Sequence, residues 1–330
     1  MRITQNMTSD NALFNIQQQR SRIDRLNEQV SADMNILRPS DDPITTRQLL
    51  DLQNAVTAGD QYKSNIVKGN VWLNMTDTAL KGMSDIVNNI RGLVANIAGG
   101  TDNTPEGATI RADTITQLKE MRKQLIDMGN TQLGDQYIFG GYKNNVKAFD
   151  TTAGTSPPLP AGDPLIGEPT GTFQGTSDKI NVDIGRNSTI AINTAGSAVL
   201  NGSVSNPSPP PATVAGPYGS TDIIGTLDSL IRDINTNNVT QIQADAAQFD
   251  TSSSQINIAR SDVANRLKRM ESANNMITSD QNTAQGIISD RQNVDFAKAA
   301  TELTQQQTAF QAALSTTAKI SQISLLDYLT

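Results

Sequence analysis

Apolar residues recur at a seven-residue step along both ends of this chain, which predicts long helices with narrow buried seams. Because an isolated helix leaves such a seam in water, the two terminal helices are expected to pack on each other and on neighbouring copies. The predicted assembly residues are Ile16, Ile23, Val30 and Leu37 near the N-terminus and Phe296, Leu303, Phe310 and Leu314 near the C-terminus. A monomeric helical bundle without a polymer is the alternative.

The same repeat continues through the middle of the chain. Gly99-Gly100 ends one pattern, and Thr104-Pro105 supplies a cap and a first-turn proline for the next helix, which predicts an antiparallel helical hairpin. The positions that repeat every seven residues are Ile66, Leu73, Leu80, Val87 and Val94, and later Phe249, Ile256, Val263, Met270 and Ile277.

Residues 151–221 differ in kind from the helical stretches. They hold ten of the thirteen prolines, and the segments 179–184 and 188–192 alternate apolar and polar residues as half-buried strands do. The glycine-flanked aromatic stretch 136–142 also reads as a strand with a turn, and Pro207 to Pro211 as a linker. The fold class is therefore mainly α, a long antiparallel bundle or coiled coil of paired terminal segments, with a small β-rich insertion.

The sequence Arg38-Pro39-Ser40-Asp41-Asp42-Pro43 separates the first two helices. Pro39 forces the residue before it out of helical geometry. Ser40 or Asp42 is placed to cap the following helix, and Pro43 suits its first turn. A metal-binding interpretation of the two aspartates lacks other ligands nearby.

Composition narrows the possible functions. The formal net charge is −7, which disfavours nucleic-acid binding because that binding depends on neutralising phosphates. The chain has no cysteine and no histidine, so thiol and imidazole catalysis and Cys/His zinc sites are removed, and neither a cofactor nor a metal is predicted. A pair of carboxylates is the one enzymatic arrangement that this composition leaves open.

No run of about 18 apolar residues occurs, so no membrane span is predicted. The first twenty residues contain no continuous apolar stretch of the kind found in secretory signal peptides. Any export is therefore expected to use another route.

Several motifs resemble those of the flagellin superfamily. The segment 38–43 is similar to the motif that the superfamily shares after its first helix. Residues 1–7, 135–143, 295–303 and 325–329 resemble the subunits that lie at the junction between hook and filament. The resemblance covers about residues 1–149 and 222–330.

This resemblance implies three domains: a terminal helical domain from 1–42 and 285–330, a helical rod with a β-hairpin from 43–149 and 222–284, and a variable insertion from 150–221. It implies a structural subunit, not an enzyme, that joins the hook to the flagellin filament. A minor flagellin that forms the filament itself is the alternative.

The resemblance also implies partners and a location. The expected partners are further copies in a ring, hook-associated protein 1, flagellin, and an export chaperone on the C-terminal helix. The expected location is the extracellular flagellum, reached through the flagellar type III channel without a cleaved signal peptide.

Overall fold

The computed structural model describes residues 5–99, 104–152, 159–206 and 212–329, and these are mostly helical. Pro207 to Pro211, predicted as a linker, lie outside the described residues. The helices are α1 Gln5–Ala32, α2 Pro43–Ile97, α3 Pro105–Gly129, α4 Gly196–Leu200, α5 Ile223–Asn235, α6 Val239–Gln292 and α7 Phe296–Leu329. Three antiparallel two-stranded pairs are present: β1 Gln132–Leu133 with β2 Gln136–Tyr137, β3 Asn181–Gly185 with β4 Ser188–Ala191, and β5 Ser203–Asn206 with β6 Ala212–Ala215.

The chain divides into two compact units. One unit takes its residues from Met1–Asp60 and Thr278–Thr330, and the other is Gln61–Ile277. The mainly helical fold class is confirmed, with α1 and α7 packed together and only small strands in the middle. The three-domain division implied by the resemblance stays a prediction.

The seven-residue repeat forms the core of the second unit. All ten of the repeating positions predicted in α2 and α6 are buried, and most of them are completely inaccessible to solvent. Leu227, Ile231 and Ile234 of α5 join the same core. The burial of each large apolar side chain contributes roughly 1.5–3 kcal/mol, so the central seams supply most of the cohesion of this unit.

The predicted helix caps are confirmed. The Asp42 carboxylate accepts hydrogen bonds from the amides of Ile44 (3.1 Å) and Thr45 (3.0 Å) at the start of α2. A hydrogen bond from the Thr45 hydroxyl (2.6 Å), together with these amide bonds, holds the pKa of Asp42 below its usual value. At α3, the Thr104 hydroxyl accepts from the Gly107 amide at 3.2 Å, with Pro105 in the first turn.

The first helix is shorter than the repeat suggested. Asp33 has a φ of 53°, and the Met34 amide donates to the Gln29 carbonyl at 3.1 Å, which is the 6→1 bond that terminates many helices. Leu37 therefore lies in the connection after α1. The prediction that it continues the helical stripe is wrong.

The strands around residue 136 are also shorter than predicted. β2 covers only Gln136–Tyr137, and Ile138 and Phe139 follow it as buried residues in a turn. The β3–β4 pair lies where the alternating segments predicted it. The short helix α4 and the β5–β6 pair were not predicted.

The inserted segment shares the core of the helices. Leu165, Ile184 and Val199 are buried in the same core cluster as residues of α2, α3 and α6. The buried Gln255 of α6 donates to the carbonyls of Val199 (2.7 Å) and Thr221 (2.9 Å). Deleting about 152–220 is therefore expected to lower the melting temperature of the helical core.

Asp245 of α6 is a buried carboxyl group whose Oδ2 has no hydrogen-bond partner among the described residues. Burial, together with the neighbouring Asp233, raises its pKa to about 6. Since this lies above the unfolded value near 3.8, stability is highest below pH 4 with respect to this group and falls as the pH rises through about 6.

Asp245→Asn is expected to raise the unfolding free energy at neutral pH by about 1 kcal/mol, because the amide carries no charge to desolvate. Below about pH 4 the gain should vanish. Urea unfolding followed by the fluorescence of Trp72, the single tryptophan, measures this difference at each pH. A pH-independent gain would contradict the assignment.

Candidate assembly surface

The terminal helices α1 and α7 pack against each other along one side of each helix. Ile16, Ile23 and Val30 are half-buried on α1, and Leu303 and Phe310 are half-buried on α7. Their spacing of seven residues places each set on one face of its helix. Five of the eight predicted assembly residues are thus half-buried on the two helices that pack together.

The other three predicted residues lie elsewhere. Leu37 is half-buried in the connection after α1. Phe296, the first residue of α7, is 63% exposed, and Leu314 is 44% exposed. Leu13 and Phe14 of α1 are exposed as well. The helix pair therefore leaves large apolar side chains in water, and a role for them in assembly stays a prediction.

The seam between α1 and α7 is only partly apolar. Gln19, Gln306 and Thr317 are half-buried together with the larger apolar residues. The Oε1 atom of Gln19 is buried and has no hydrogen-bond partner among the described residues. Such a group costs roughly 1–3 kcal/mol. This pair is therefore held more weakly than the core of the second unit.

A shallow groove of about 700 Å³ runs along α7 and is lined by Thr301, Thr304, Gln305, Thr308, Ala309 and Ala312. The hydroxyls of Thr301, Thr304 and Thr308 donate to carbonyls one turn earlier on α7, at 2.7–2.9 Å. Since these bonds occupy the hydroxyls, the groove offers small, mostly apolar groups. From residue 299 to 318 the only charged side chain is Glu302.

Polar contacts hold the connection between α1 and α2 against α1 and the end of α6. The guanidinium of Arg25 lies 3.0 Å from the Asp41 carboxylate, and that of Arg38 lies 3.7 Å from the Glu28 carboxylate. The Asn35 amide donates to the Gln292 carbonyl at 2.7 Å. Polar bonds, more than apolar burial, thus hold the exit from α1.

The difference between the two units predicts how a monomer is digested. Residues 1–40 and 290–330 are expected to be cleaved first by a protease, because their seam is half-buried, while about 45–280 resists. Limited proteolysis followed by mass spectrometry identifies the cleavage sites. Complete resistance of both ends in a proven monomer would contradict this expectation.

Comparison with known families gives the class of the protein. The model of the bacterial flagellin N-terminal helical region matches residues 3–144, and that of the flagellin C-terminal helical region matches residues 246–329. These matches include most of α1, α2, α3, α6 and α7. The chain belongs to the flagellin family.

Two curated relatives match along nearly their whole length. Flagellar hook-associated protein 3 of Salmonella typhimurium is 24% identical over 337 aligned residues, with 98% of each chain covered. Flagellar hook-associated protein 3 of Escherichia coli is 25% identical over 314, with 90% of each chain covered.

Solved structures share the fold. A flagellar hook-associated protein from Vibrio parahaemolyticus superposes with a TM-score of 0.59 at 20% identity, covering 77% of this chain and 100% of that one. The flagellar junction protein FlgL from Legionella pneumophila superposes with a TM-score of 0.54 at 14% identity, covering 74% of this chain and 99% of that one.

The helices of the described residues were expected from the sequence to include no membrane span. Among them, none has an apolar stretch of the length that a span requires.

Proposed function

We propose that this chain is a structural subunit of the bacterial flagellum that joins the hook to the flagellin filament. The observation that carries the proposal is the full-length similarity to two flagellar hook-associated proteins, which includes the inserted segment that separates the two flagellin regions. The paired helices α1 and α7 also support the proposal, because they leave apolar side chains in water that neighbouring subunits would cover.

The subunit performs no chemistry in this proposal. It lacks cysteine and histidine, and its strongest charge pairs, such as Arg122 with Asp228, connect elements of the fold. Its proposed role is to bind neighbouring subunits of the flagellum. One end of the assembled ring contacts hook-associated protein 1, and the other contacts flagellin.

Export and assembly follow the same logic. A chaperone that covers the apolar stripe of α7 in the cytoplasm keeps copies apart until they pass through the flagellar type III channel. At the tip of the hook, the eight predicted assembly residues then contact neighbouring copies. The half-buried seam and the exposed Phe296 and Leu314 support this role.

Deleting the gene in the source bacterium tests the proposal. The expected result is a cell with hooks but no filaments, which releases flagellin into the medium and regains filaments when the gene is restored. Gold-labelled antibody against the chain should bind at the boundary between hook and filament. Normal filaments on the deletion strain would contradict the junction role.

A minor flagellin is the second candidate, because both matching family models describe flagellin regions. A flagellin is expected to extend filament seeds when the purified chain is added, whereas a junction subunit is not. Antibody labelling along the filament would favour this alternative.

A further inference from the structure

The loop of residues 142–147, here the Tyr142 loop, exposes apolar and basic side chains together. Tyr142 is 63% exposed and Val146 is 45% exposed. Lys143 and Lys147 are exposed beside them, and neither forms an ion pair within the part of the chain that the structure describes. The Lys147 ammonium donates a hydrogen bond to Thr151 Oγ1 at 2.7 Å. The loop therefore presents a basic and apolar surface on a chain whose net charge is −7.

Hydrogen bonds fix the position of Tyr142. Its amide donates to Thr176 Oγ1 at 2.9 Å, and its hydroxyl donates to the Lys179 carbonyl at 3.1 Å. Gly141 has a φ of 64°, and a Cβ there would lie 2.2 Å from the Thr176 carbonyl oxygen. An exposed aromatic ring that is already held in place loses little entropy on binding, which favours a docking residue.

Helix α3 carries carboxylates on the side away from the core. The exposed acidic residues recur at a seven-residue step and are Glu106, Asp113, Glu120 and Asp127. At a rise of about 1.5 Å per residue, successive carboxylates are about 10 Å apart along the helix. None forms an ion pair within the described ranges. The exposed Lys123 lies one turn from Glu120 and Asp127, so the acidic character is strongest from Glu106 to Glu120, where the half-exposed Ile110 lies one turn from Glu106 and Asp113.

We propose that the Tyr142 loop of one copy docks on the acidic face of α3 of a second copy. Lys143 and Lys147 pair with the carboxylates, while Tyr142 and Val146 cover Ile110. Charge complementarity identifies the occupant: the loop is basic and apolar, and this face of α3 is acidic with an exposed isoleucine. Because two different surfaces meet, the contact is heterologous and can close into a ring. The proposal deepens the proposed self-assembly and rests on it.

A zero-length cross-link in purified full-length chain tests this contact. A carbodiimide activates a carboxylate, and a lysine amine within contact distance displaces the activating group as a urea to form an amide. Mixing unlabelled and nitrogen-15-labelled chain separates links between copies from links within one copy. The expected products join Lys143 or Lys147 of one copy to Asp113 or Glu120 of another.

Charge reversal and its repair make the test specific. Lys143→Glu with Lys147→Glu is expected to lower the self-association measured by sedimentation about tenfold, because like charges then face each other. Adding Asp113→Lys and Glu120→Lys in the same chain should restore it to within about twofold. The control, Lys68→Glu with Lys81→Glu on exposed positions of α2, should leave it unchanged.

Failure of the repaired chain to associate, or links between copies that map elsewhere, would overturn the contact. So would the complete absence of linked copies in concentrated chain. The junction role fails separately, through antibody labelling of the unaltered chain away from the boundary between hook and filament. A correctly placed chain whose charge repair fails would leave the junction role intact and remove only this interface.

Discussion

Arg122→Met is expected to destabilise the second unit by about 3–5 kcal/mol, the cost typical of removing one partner from a buried ion pair. Arg122 of α3 is almost completely buried and makes a bidentate pair with Asp228 of α5. It also donates to the carbonyls of Pro169 (2.5 Å) and Thr170 (3.3 Å). Methionine fills the space but leaves a carboxylate and two carbonyl oxygens without their donor.

The protonation state of Asp228 decides how strongly Arg122→Met lowers the free energy of unfolding. Burial raises the pKa of this carboxyl, and the Arg122 guanidinium opposes that rise. Without the guanidinium, Asp228 is expected to take up a proton more readily, so the destabilisation should be smaller in acid than at neutral pH. Urea unfolding followed by Trp72 fluorescence measures both values.

A matched substitution distinguishes the buried Arg122–Asp228 pair from an ordinary ion pair at the surface. Arg91→Met removes the partner of Asp250 at a pair in which both side chains are substantially exposed, so it should cost less than about 1 kcal/mol. Arg122→Met with Asp228→Leu should recover part of the loss, since no buried charge then remains unpaired. Equal effects of Arg91→Met and Arg122→Met would contradict a special role for the buried pair.

The sequence predicted the long seams well because burial along a helix leaves a direct trace in the spacing of apolar residues. Leu73, Leu80, Phe249 and Ile256 are completely buried for this reason. The caps at Asp42 and Thr104 were predictable too, since each depends on a side chain a few residues from the amides it binds.

Contacts between distant segments were not predictable in the same way. Arg122 lies on the apolar side of α3, which was a signal that it has a buried partner, but nothing local identifies Asp228 or Pro169. The burial of Leu165 and Val199 depends on how the insertion folds over the helices. The end of α1 at Ala32 depends on the backbone of Asp33, so the apolar repeat alone overran to Leu37.

The candidate surface was predicted in part. A seven-residue step cannot distinguish a residue inside a helix pair from one beyond its end. Leu303 and Phe310 are half-buried, whereas Phe296 on the same step begins α7 and is exposed. The sequence predicts a strand with a turn that includes Tyr142, but the position of its side chain depends on hydrogen bonds to the distant Thr176 and Lys179.

Leu303→Asp is expected to stop incorporation of the subunit into the flagellum. Leu303 is half-buried in the seam of α1 and α7, and a carboxylate there loses its apolar contacts and is partly removed from water. The cost is about 2–3 kcal/mol for the helix pair, which is already weakened by Gln19. The second unit should unfold normally, as reported by Trp72.

Substitutions at exposed positions on α7 distinguish two roles of this stripe, which are packing against α1 within one copy and contacting neighbouring copies. Phe296→Asp and Leu314→Asp should disturb the isolated helix pair less than Leu303→Asp does, because both side chains are more exposed, yet they should also prevent incorporation if neighbours cover them. Ile258→Asp, at an exposed apolar position of α6 in the other unit, controls for the added charge. Motility and antibody labelling at the hook tip measure incorporation.

Poor export could imitate failed assembly, because the same stripe is the proposed chaperone surface. The amount of mutant chain in the medium distinguishes the causes: an assembly defect leaves secretion near normal, whereas an export defect abolishes it. We expect Leu303→Asp to be secreted and to leave hooks without filaments. Normal filaments and swimming with Leu303→Asp as the sole copy would show that the α7 stripe is not needed for assembly.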